Sequence, residues 1–312
     1  MEVIHDEYLK TVVFLCVIDT GATGVVISTP KATGFLVSVP LEGTHDTRVN
    51  YVVTARHCLE GARADNCQQL NIRLNRIDGP FFELPTKIDD WICHDSADIA
   101  VIRLGRLPRG IRRAEIDQAW FKIEDFVGPD YTYSFKHEGD VMRVQPRVGH
   151  QIYALGLFQP HFGTERNLPI ARFGNISRMP ETLSFDNGHI RFDAVVYLVE
   201  LQSWGGQSGS PVFFMYPVFR QDLLPLTGNS GASLMVGADL MWVNSFMGII
   251  SGHFDIHQGA EITGDLKNYG TIQTDLNSGI AMITPAESVR QLLMREDLVV
   301  LRAQSKESIQ PR

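Results

Sequence analysis

Short runs of apolar and β-branched residues, separated by glycine, proline and polar turn residues, recur along the whole chain. In the first part they predict strands over 11–18, 24–28, 34–39, 51–54, 71–74, 81–84 and 99–104. In the second part they predict strands over 151–156, 171–177, 194–199, 247–253 and 278–283. Many short strands at this spacing are typical of a barrel or a sandwich. The pattern therefore predicts an all-β fold.

The alternation of apolar and polar residues weakens between Leu107 and about Gln145, where charged and turn residues accumulate. Gly128-Pro129-Asp130 breaks the chain inside this stretch. We therefore interpret residues 128–147 as a connection between two β units. The N-terminal unit covers residues 1–127 and the C-terminal unit covers residues 148–300.

A helix is predicted at the end of the second unit. Thr284 can act as its N-cap, Pro285 suits the first helical position, and Glu287 completes a capping box. The apolar stripe of this helix is formed by Val289, Leu292 and Leu293. The remaining residues, 301–312, are polar, and we expect a frayed tail there.

Charge and hydropathy exclude several classes of partner. The 312-residue chain is 44% hydrophobic and has a formal net charge of −8. This charge argues against a nucleic-acid or an anionic-membrane partner, because either would require a basic face. The apolar run 11–18 is short and has acidic residues on both sides, which favours a strand over a signal peptide or a membrane span. We therefore expect a cytoplasmic protein.

The four cysteines could form disulfides if the protein were exported. Without an export signal we expect reduced thiols at Cys16, Cys58, Cys67 and Cys93. Three of these cysteines, together with His94, could also collect a zinc ion, but their spacing fits no compact ligand motif. We therefore expect neither a metal nor another cofactor.

Three short motifs carry candidate chemistry. A β-branched strand ends at His57, an apolar run begins just after Asp98, and Ser208 lies in a glycine-rich turn. A serine hydroxyl is a poor nucleophile at neutral pH unless a base and an orienting carboxylate accompany it. A histidine or an aspartate alone is more often structural, but the order His57, Asp98, Ser208 supplies all three groups. Asp95 is a rival to Asp98, although no Ile-Ala-Val run follows it.

The sequences around these residues resemble those of the trypsin-like serine protease family. The matching segments are Thr54-Ala-Arg-His-Cys58, Asp98-Ile-Ala-Val101 and Gly206-Gln-Ser-Gly-Ser-Pro211. The resemblance covers nearly the whole chain and is thin over residues 105–145 and 216–246. It implies the chymotrypsin fold, with two six-stranded antiparallel β-barrels and a C-terminal helix.

The resemblance also implies roles for these residues in a serine endopeptidase. Ser208 is the nucleophile that forms an acyl-enzyme, His57 is its general base, and Asp98 orients the imidazole. The backbone N–H groups of Gly206 and Ser208 form the oxyanion hole. The expected substrate is a protein or a peptide.

The same resemblance suggests where the substrate binds. A substrate strand can pair along residues 251–253, and Ser251 can also support Asp98. Because no acid stands at the pocket floor, where Gln202 lies, a basic side chain is not the expected substrate anchor. No preference for one side chain follows from the other positions. The implied substrate-binding residues are Gln202, Ser203, Ser251, Gly252, His253 and Gly279.

Two positions differ from the pattern of secreted or clipped members. In members that mature by clipping, a carboxylate before the nucleophile receives the new amino-terminal ammonium, but this chain has the uncharged Gln207. We therefore predict activity without cleavage near residue 20. In secreted members the cysteine after the catalytic histidine pairs with one on the neighbouring strand, where this chain has Thr33-Gly34.

Other interpretations remain. Asp19-Thr20-Gly21 imitates the signature of aspartic proteases, but that chemistry needs two aspartates sharing one proton, and the chain has no second such signature. The glycines of 205–209 resemble a phosphate-binding loop without its lysine and helix. The protein could also be a binding module whose triad is unused, or a protease that requires an activating partner protein.

Overall fold

The first half of the chain forms one sheet of eight strands. The computed structural model describes residues 4–20, 26–44, 47–105, 107, 110–128, 130–137, 140–186, 191–202, 205–219, 240–260 and 272–307. The sheet order is β5-β4-β1-β2-β3-β7-β6, with β8 parallel to β2 and all other pairs antiparallel. These strands are β1 (Val12–Thr20), β2 (Val26–Pro40), β3 (Arg48–Thr54), β4 (Gln69–Leu74), β5 (Phe82–Lys87), β6 (Ile92–Cys93), β7 (Ala100–Arg103) and β8 (Phe121–Lys122).

The second half forms a closed antiparallel barrel of six strands in the order β11-β12-β13-β16-β15-β14. A separate hairpin precedes it, within the stretch interpreted as the connection. The hairpin strands are β9 (Tyr133–His137) and β10 (Asp140–Val144). The barrel strands are β11 (Gln151–Gly156), β12 (Ile170–Asp186), β13 (Arg191–Glu200), β14 (Pro211–Phe219), β15 (Leu240–Ala260) and β16 (Ile272–Pro285).

Within the described residues, four α-helices accompany the strands: α1 (Asp6–Leu9), α2 (Arg56–Ala64), α3 (Ala286–Leu293) and α4 (Glu296–Glu307). Single 3-10 turns lie at Ile88–Asp90, Arg113–Glu115, Ile123–Asp125 and Gln159–His161. Among the helices in the described ranges, none has the length and apolar character needed to cross a membrane.

The all-β, chymotrypsin-like fold is confirmed, and the C-terminal half has the expected six-stranded barrel. The N-terminal sheet differs from a six-stranded barrel, because its described strands pair along an open path and two strands of two residues each, β6 and β8, add to six longer ones. The described part of the run 24–28, which is residues 26–28, forms one strand, β2, together with the run 34–39. A register shift between Leu15 and Cys16 absorbs one residue of β2, which lets this strand continue through Pro30.

The largest apolar cluster lies between the two halves. Its centre is aromatic: the Phe35 and Phe246 ring centroids are 5.0 Å apart, and those of Phe121 and Phe213 are 4.9 Å apart. Such pairs contribute about 0.5–1.5 kcal/mol each beyond the area they bury. Because each pair joins one half to the other, this packing fixes the relative position of the two halves.

Helix α3 has the predicted apolar stripe, since Val289, Leu292 and Leu293 are buried. The predicted start of this helix was wrong by one residue. Strand β16 continues through Thr284, which pairs with Ile249, and Pro285 occupies the N-cap position without a side-chain cap. The strand pairing of Thr284 prevents it from acting as the cap.

The expected frayed tail is instead helical as far as Glu307. Within α4, Arg302 is only 2% exposed and donates a 2.6 Å hydrogen bond to the carbonyl of Leu293 at the end of α3. Its guanidinium carbon also lies 6.0 Å from the centre of the Tyr51 ring. The arginine therefore joins α3, α4 and the N-terminal sheet.

We expect Arg302→Met to lower the free energy of unfolding by about 1.5–3 kcal/mol, the usual contribution of a hydrogen bond from a charged donor. The methionine retains most of the apolar length but cannot donate to the Leu293 carbonyl. Urea denaturation of the full chain measures the change, with Arg178→Met, at a half-exposed arginine of β12, as the control. Equal stability of the two variants would show that the buried contact is dispensable.

Candidate active site

The carboxylate of Asp98 holds His57 through two hydrogen bonds. The backbone N–H of His57 donates to Asp98 Oδ1 at 2.8 Å, and Nδ1 lies 2.7 Å from Asp98 Oδ2. His57 is in the first turn of α2, where backbone N–H groups lack partners within the helix. Asp98 therefore caps this helix and orients the ring at the same time. With Nδ1 as the donor to the carboxylate, Nε2 is the nitrogen left to accept a proton.

Strand pairing explains why these two residues meet. Thr54, the last residue of β3, pairs with Ala100, the first residue of β7. His57 follows Thr54 by one turn of chain, and Asp98 precedes Ala100 by two positions. The register of β3 and β7 therefore brings together two residues that lie 41 positions apart.

The pKa of His57 is raised above its ordinary value. Burial opposes the charged ring, but the hydrogen bond to Asp98 and the contact with Cys58 outweigh it. The Cys58 sulfur lies 3.8 Å from Nε2. The Asp98 carboxylate and the Cys58 sulfur therefore both favour the imidazolium form, which is the form that must accumulate when Nε2 takes a proton.

Ser208 lies in the turn before β14, and main-chain hydrogen bonds fix this turn from two sides. The Ser208 carbonyl accepts from Thr33 N–H at 3.0 Å, and Gly209 N–H donates to the Ile250 carbonyl at 2.9 Å. One of these partners belongs to each half of the molecule. The turn that carries the serine is therefore held between the two halves.

The two glycines of the turn adopt conformations that other residues rarely reach, with φ of +91° at Gly206 and +82° at Gly209. A Cβ at Gly209 would lie 2.2 Å from the Thr33 carbonyl oxygen and 2.4 Å from Thr54 Oγ1. Thr54 is three residues before His57, so the turn packs directly on the chain that leads to the histidine. Among the described residues no hydrogen bond joins Ser208 Oγ to His57 Nε2.

The implied oxyanion-hole donors are on this turn. Within the described ranges, the N–H groups of Gly206 and Ser208 donate to no other residue. The peptide between them is fixed, because the Gly206 carbonyl accepts a 2.8 Å hydrogen bond from Thr33 Oγ1. The two donors are therefore available for a substrate oxygen.

Thr33 is a site residue that the sequence interpretation did not assign. Its hydroxyl accepts from Leu157 N–H at 2.9 Å and donates to the Gly206 carbonyl, while its own carbonyl accepts from Thr54 Oγ1 at 2.7 Å. Thr33 begins the segment Thr33-Gly34-Phe35-Leu36, in which the resemblance would place the cysteine of secreted members. These hydrogen bonds therefore join the serine turn and Leu157 to the strand before His57.

We expect Thr33→Val to lower the free energy of unfolding by about 2–4 kcal/mol, because it leaves the buried Leu157 N–H and Gly206 carbonyl without partners at about 1–3 kcal/mol each. Valine has nearly the same shape, so packing changes little. Thr33→Ser retains the hydroxyl and is the matched control. Urea unfolding should distinguish the two variants, and equal losses would show that the hydroxyl contributes no more to stability than the methyl group does.

An open strand edge begins beside the serine turn. Strand β15 pairs with β14 only as far as Ile249, whereas from Gly248 to Ala260 it pairs with β16. Residues 251–253 therefore have a paired neighbour on one side only, among the described strands. An extended peptide could add to this edge.

The remaining implied substrate-binding residues are described only in part. Gln202 is exposed, and Ser203 lies outside the described residues. The Ser251 hydroxyl donates to the Met282 carbonyl at 3.2 Å, and no hydrogen bond to Asp98 is found within the described ranges. Gly252 packs on the end of Met282, and Gly279 has a φ of +78° and accepts from Leu201 N–H. The backbone of His253 pairs with Ala281, but its side chain is outside the description.

The cysteines and the acidic residues were the basis of two alternative interpretations, a metal site and an aspartic protease. All four cysteines are free thiols. In the part of the chain that the structure describes, no three His, Cys, Asp or Glu side chains are grouped so that they could hold a metal ion. Asp19 and Thr20 end β1, and Gly21 of the aspartic protease signature lies outside the described residues.

Comparison with known proteins finds a match to the family model of the trypsin-like peptidase domain over residues 32–214. This range is more than half of the 312-residue chain and contains His57, Asp98 and Ser208. The MamO protease domain from Magnetospirillum magneticum has 14% identity and a TM-score of 0.43, with 92% of this chain and 98% of that chain covered. The active form of the Rv3671c protease from M. tuberculosis has 14% identity and a TM-score of 0.42, with 92% and 80% covered. No curated protein matches the chain.

Proposed function

The chain belongs to the trypsin-like peptidase domain family, and we propose that it is a serine endopeptidase that hydrolyses peptide bonds through an acyl-enzyme. The observation that carries this proposal is the geometry of Asp98, whose two oxygens hold the backbone and the ring of His57 next to the turn that presents Ser208. A structural histidine needs one partner, but a general base needs a fixed ring with one nitrogen available. This arrangement supplies both features.

In the proposed mechanism, Ser208 Oγ attacks the carbonyl carbon of the substrate and transfers its proton to His57 Nε2. Asp98 stabilises the imidazolium that results. The negative charge on the former carbonyl oxygen is received by the N–H groups of Gly206 and Ser208. His57 then gives the proton to the departing amine, which leaves an acyl-enzyme. Water, activated by the neutral His57, attacks the ester and releases the acid.

The proposed substrate is a protein or peptide segment in an extended conformation. The edge at residues 251–253 follows Ile250, whose carbonyl accepts from Gly209 N–H. A strand paired at this edge would therefore pass beside Ser208. The net charge of −8 makes a nucleic-acid partner or an anionic membrane a poor fit. A cytoplasmic location and independence from cleavage near residue 20 stay predictions.

A second candidate function is a partner-gated form of the same site, or a binding module that does not use it. The observation that favours this candidate is that Nε2 of His57 has the Cys58 sulfur at 3.8 Å and no hydrogen bond with Ser208 Oγ among the described residues. An activating partner protein would then bring the hydroxyl to the imidazole.

Labelling of the purified full-length chain with a fluorophosphonate probe tests the proposal. Mass spectrometry then locates the adduct, and a peptide library measures turnover. An adduct on Ser208 with peptide turnover supports the endopeptidase, whereas the isolated chain forming no adduct and cleaving no peptide supports the partner-gated or unused site. Inhibition by pepstatin with no adduct would instead support an aspartic protease that uses Asp19.

We expect Cys58→Ala to move the acid limb of the kcat/KM profile to lower pH. The contact with the Cys58 sulfur raises the pKa of His57, and His57 must be neutral to accept the serine proton, so activity rises as pH passes through that pKa. Loss of the sulfur lowers the pKa and extends activity into more acidic solution. Cys67→Ala, at a free cysteine whose sulfur contacts the Asp65 carbonyl, is the control. An acid limb that does not move would exclude this role for the sulfur.

A further inference from the structure

Residues 157–168, between β11 and β12, contact the serine turn at their beginning. A Cβ on Gly206 would lie 2.9 Å from Leu157 Cδ2 and 3.0 Å from Gln159 Cγ. The N–H of Leu157 also donates to Thr33 Oγ1, which in turn donates to the Gly206 carbonyl. The start of the 157–168 segment is therefore packed directly against the turn that carries the oxyanion-hole donors.

The far end of the same segment is bonded to the other half of the molecule. Strand β4 and the loop between β4 and β5 supply the partners of residues 163–167. The contacts are Arg73 Nη2 to the Gly163 carbonyl at 2.7 Å, Phe81 N–H to the Glu165 carbonyl at 2.8 Å, Arg166 Nη1 to the Arg76 carbonyl at 2.7 Å, Asn167 N–H to Asn75 Oδ1 at 2.7 Å, and Asn167 Nδ2 to the Arg73 carbonyl at 2.7 Å.

Arg73 is the central residue of these contacts. It is 2% exposed, and its guanidinium carbon lies 3.6 Å from the centre of the Phe81 ring and 5.3 Å from that of Phe162. Its side chain and its carbonyl both bond to the 157–168 segment. Burial of a charged group costs free energy, and Nε of Arg73 has no hydrogen-bond partner among the described residues. The bond to the Gly163 carbonyl and the contact with the Phe81 ring therefore restrict the position of the guanidinium. A rigid donor of this kind can fix the loop that it contacts.

We propose that Arg73 is a positioning residue that holds the 157–168 segment against the N-terminal sheet and thereby keeps the Gly206 N–H aimed at the oxyanion. The inference rests on the proposed function, since it concerns how that site is held. The 157–168 segment contacts the turn beside Gly206, whereas Ile250 bonds to the turn at Gly209.

The proposal predicts a specific kinetic effect. The Gly206 N–H binds the oxygen most strongly in the transition state, so a looser turn lowers kcat and leaves KM nearly unchanged. Removal of a whole oxyanion donor costs about 10²–10³ in kcat. Loosening it through Arg73→Met should therefore lower kcat by about 10–100-fold. Arg73→Lys, which can still donate to the Gly163 carbonyl, should recover part of this loss.

The experiment uses the full-length chain. It measures kcat and KM for a peptide substrate, the pH profile of kcat/KM, and the amide hydrogen exchange of peptides covering 157–168 and 205–209. Arg178→Met, at a half-exposed arginine of β12 that pairs with Glu181, is the matched control. For Arg73→Met we expect faster hydrogen exchange in both segments and a lower kcat. The acid limb of the pH profile should not move, because the pairing of His57 with Asp98 is untouched. The control should behave as wild type.

The outcomes separate this proposal from the proposed function. If the wild-type chain neither reacts with a fluorophosphonate nor cleaves peptides, the endopeptidase proposal fails, and hydrogen exchange at 205–209 still decides the role of Arg73. Exchange that rises at 157–168 alone, or a kcat within twofold of wild type, overturns the positioning role. If Arg73→Met does not fold, Arg166→Met replaces it in the same measurements. Arg166 is a more exposed arginine of the same segment and is bonded to Arg76 and Asp117. Its kcat and its hydrogen exchange then decide whether contacts of this segment position the turn.

Discussion

Ser208→Ala should lower kcat for a peptide amide by about 10⁵–10⁶, the loss typical when the nucleophile of a triad is removed. The reason is chemical, since without Oγ no acyl-enzyme can form and the remaining groups act only on water. Residual catalysis of about 10³ over the uncatalysed reaction would remain if the N–H groups of the turn still bind the oxyanion. KM should change little, because the methyl group leaves the strand edge at 251–253 intact.

Ser210→Ala is a stringent control for this loss. Ser210 is in the same turn and fully buried, and its Oγ has no hydrogen-bond partner among the described residues. We expect the Ser210→Ala variant to have a kcat within about threefold of the wild-type value. Both variants should be measured together with labelling by a fluorophosphonate, which reports contaminating enzyme. If Ser208→Ala retains more than about 1% of kcat, or if the two variants lose activity equally, Ser208 is not the nucleophile.

Local patterns were sufficient to predict much of the fold and the chemistry. The apolar runs of β1, β3 and β4 predicted strands, and consecutive residues of these strands are buried. The apolar stripe of α3 predicted a helix, because one face of this helix is buried. His57 and Asp98 were paired from their motifs, and they are in contact. Each of these predictions uses information contained in a few adjacent residues.

Contacts between distant residues were not predictable in this way. Helix α2 has no N-cap side chain of its own, so the usual start signal is absent, and its first turn is instead capped by Asp98, 41 positions away. Thr33 joins Gly206 and Leu157 through a hydroxyl that in the sequence is one ordinary strand residue. Arg302 looks like part of a polar tail until α4 packs it against α3.

The capping of α2 by Asp98 gives the second large prediction. Asp98→Asn should lower kcat by about 10³–10⁴, because the amide can replace only one of the two carboxylate oxygens. Its oxygen can still accept from His57 N–H, but its NH₂ group then faces Nδ1. When Nδ1 accepts a hydrogen bond from this amide, the neutral imidazole carries its proton on Nε2. Nε2 then cannot take the proton of Ser208. At 25 °C a 10⁴-fold loss corresponds to about 5.5 kcal/mol of transition-state stabilisation.

The pH profile of kcat/KM distinguishes loss of the carboxylate charge beside His57 from simple loosening of the imidazole ring. Burial lowers the pKa of His57, while Asp98 raises it and makes the net shift upward. Because kcat/KM rises as His57 loses its proton, removal of the carboxylate charge should move the acid limb to lower pH as well as lower the plateau. Asp95→Asn, at an 88% exposed side chain whose nearest cation is Arg295 at 3.5 Å, should change neither quantity. An Asp98→Asn variant with an unmoved acid limb and more than a tenth of wild-type kcat/KM would assign the carboxylate to helix capping alone.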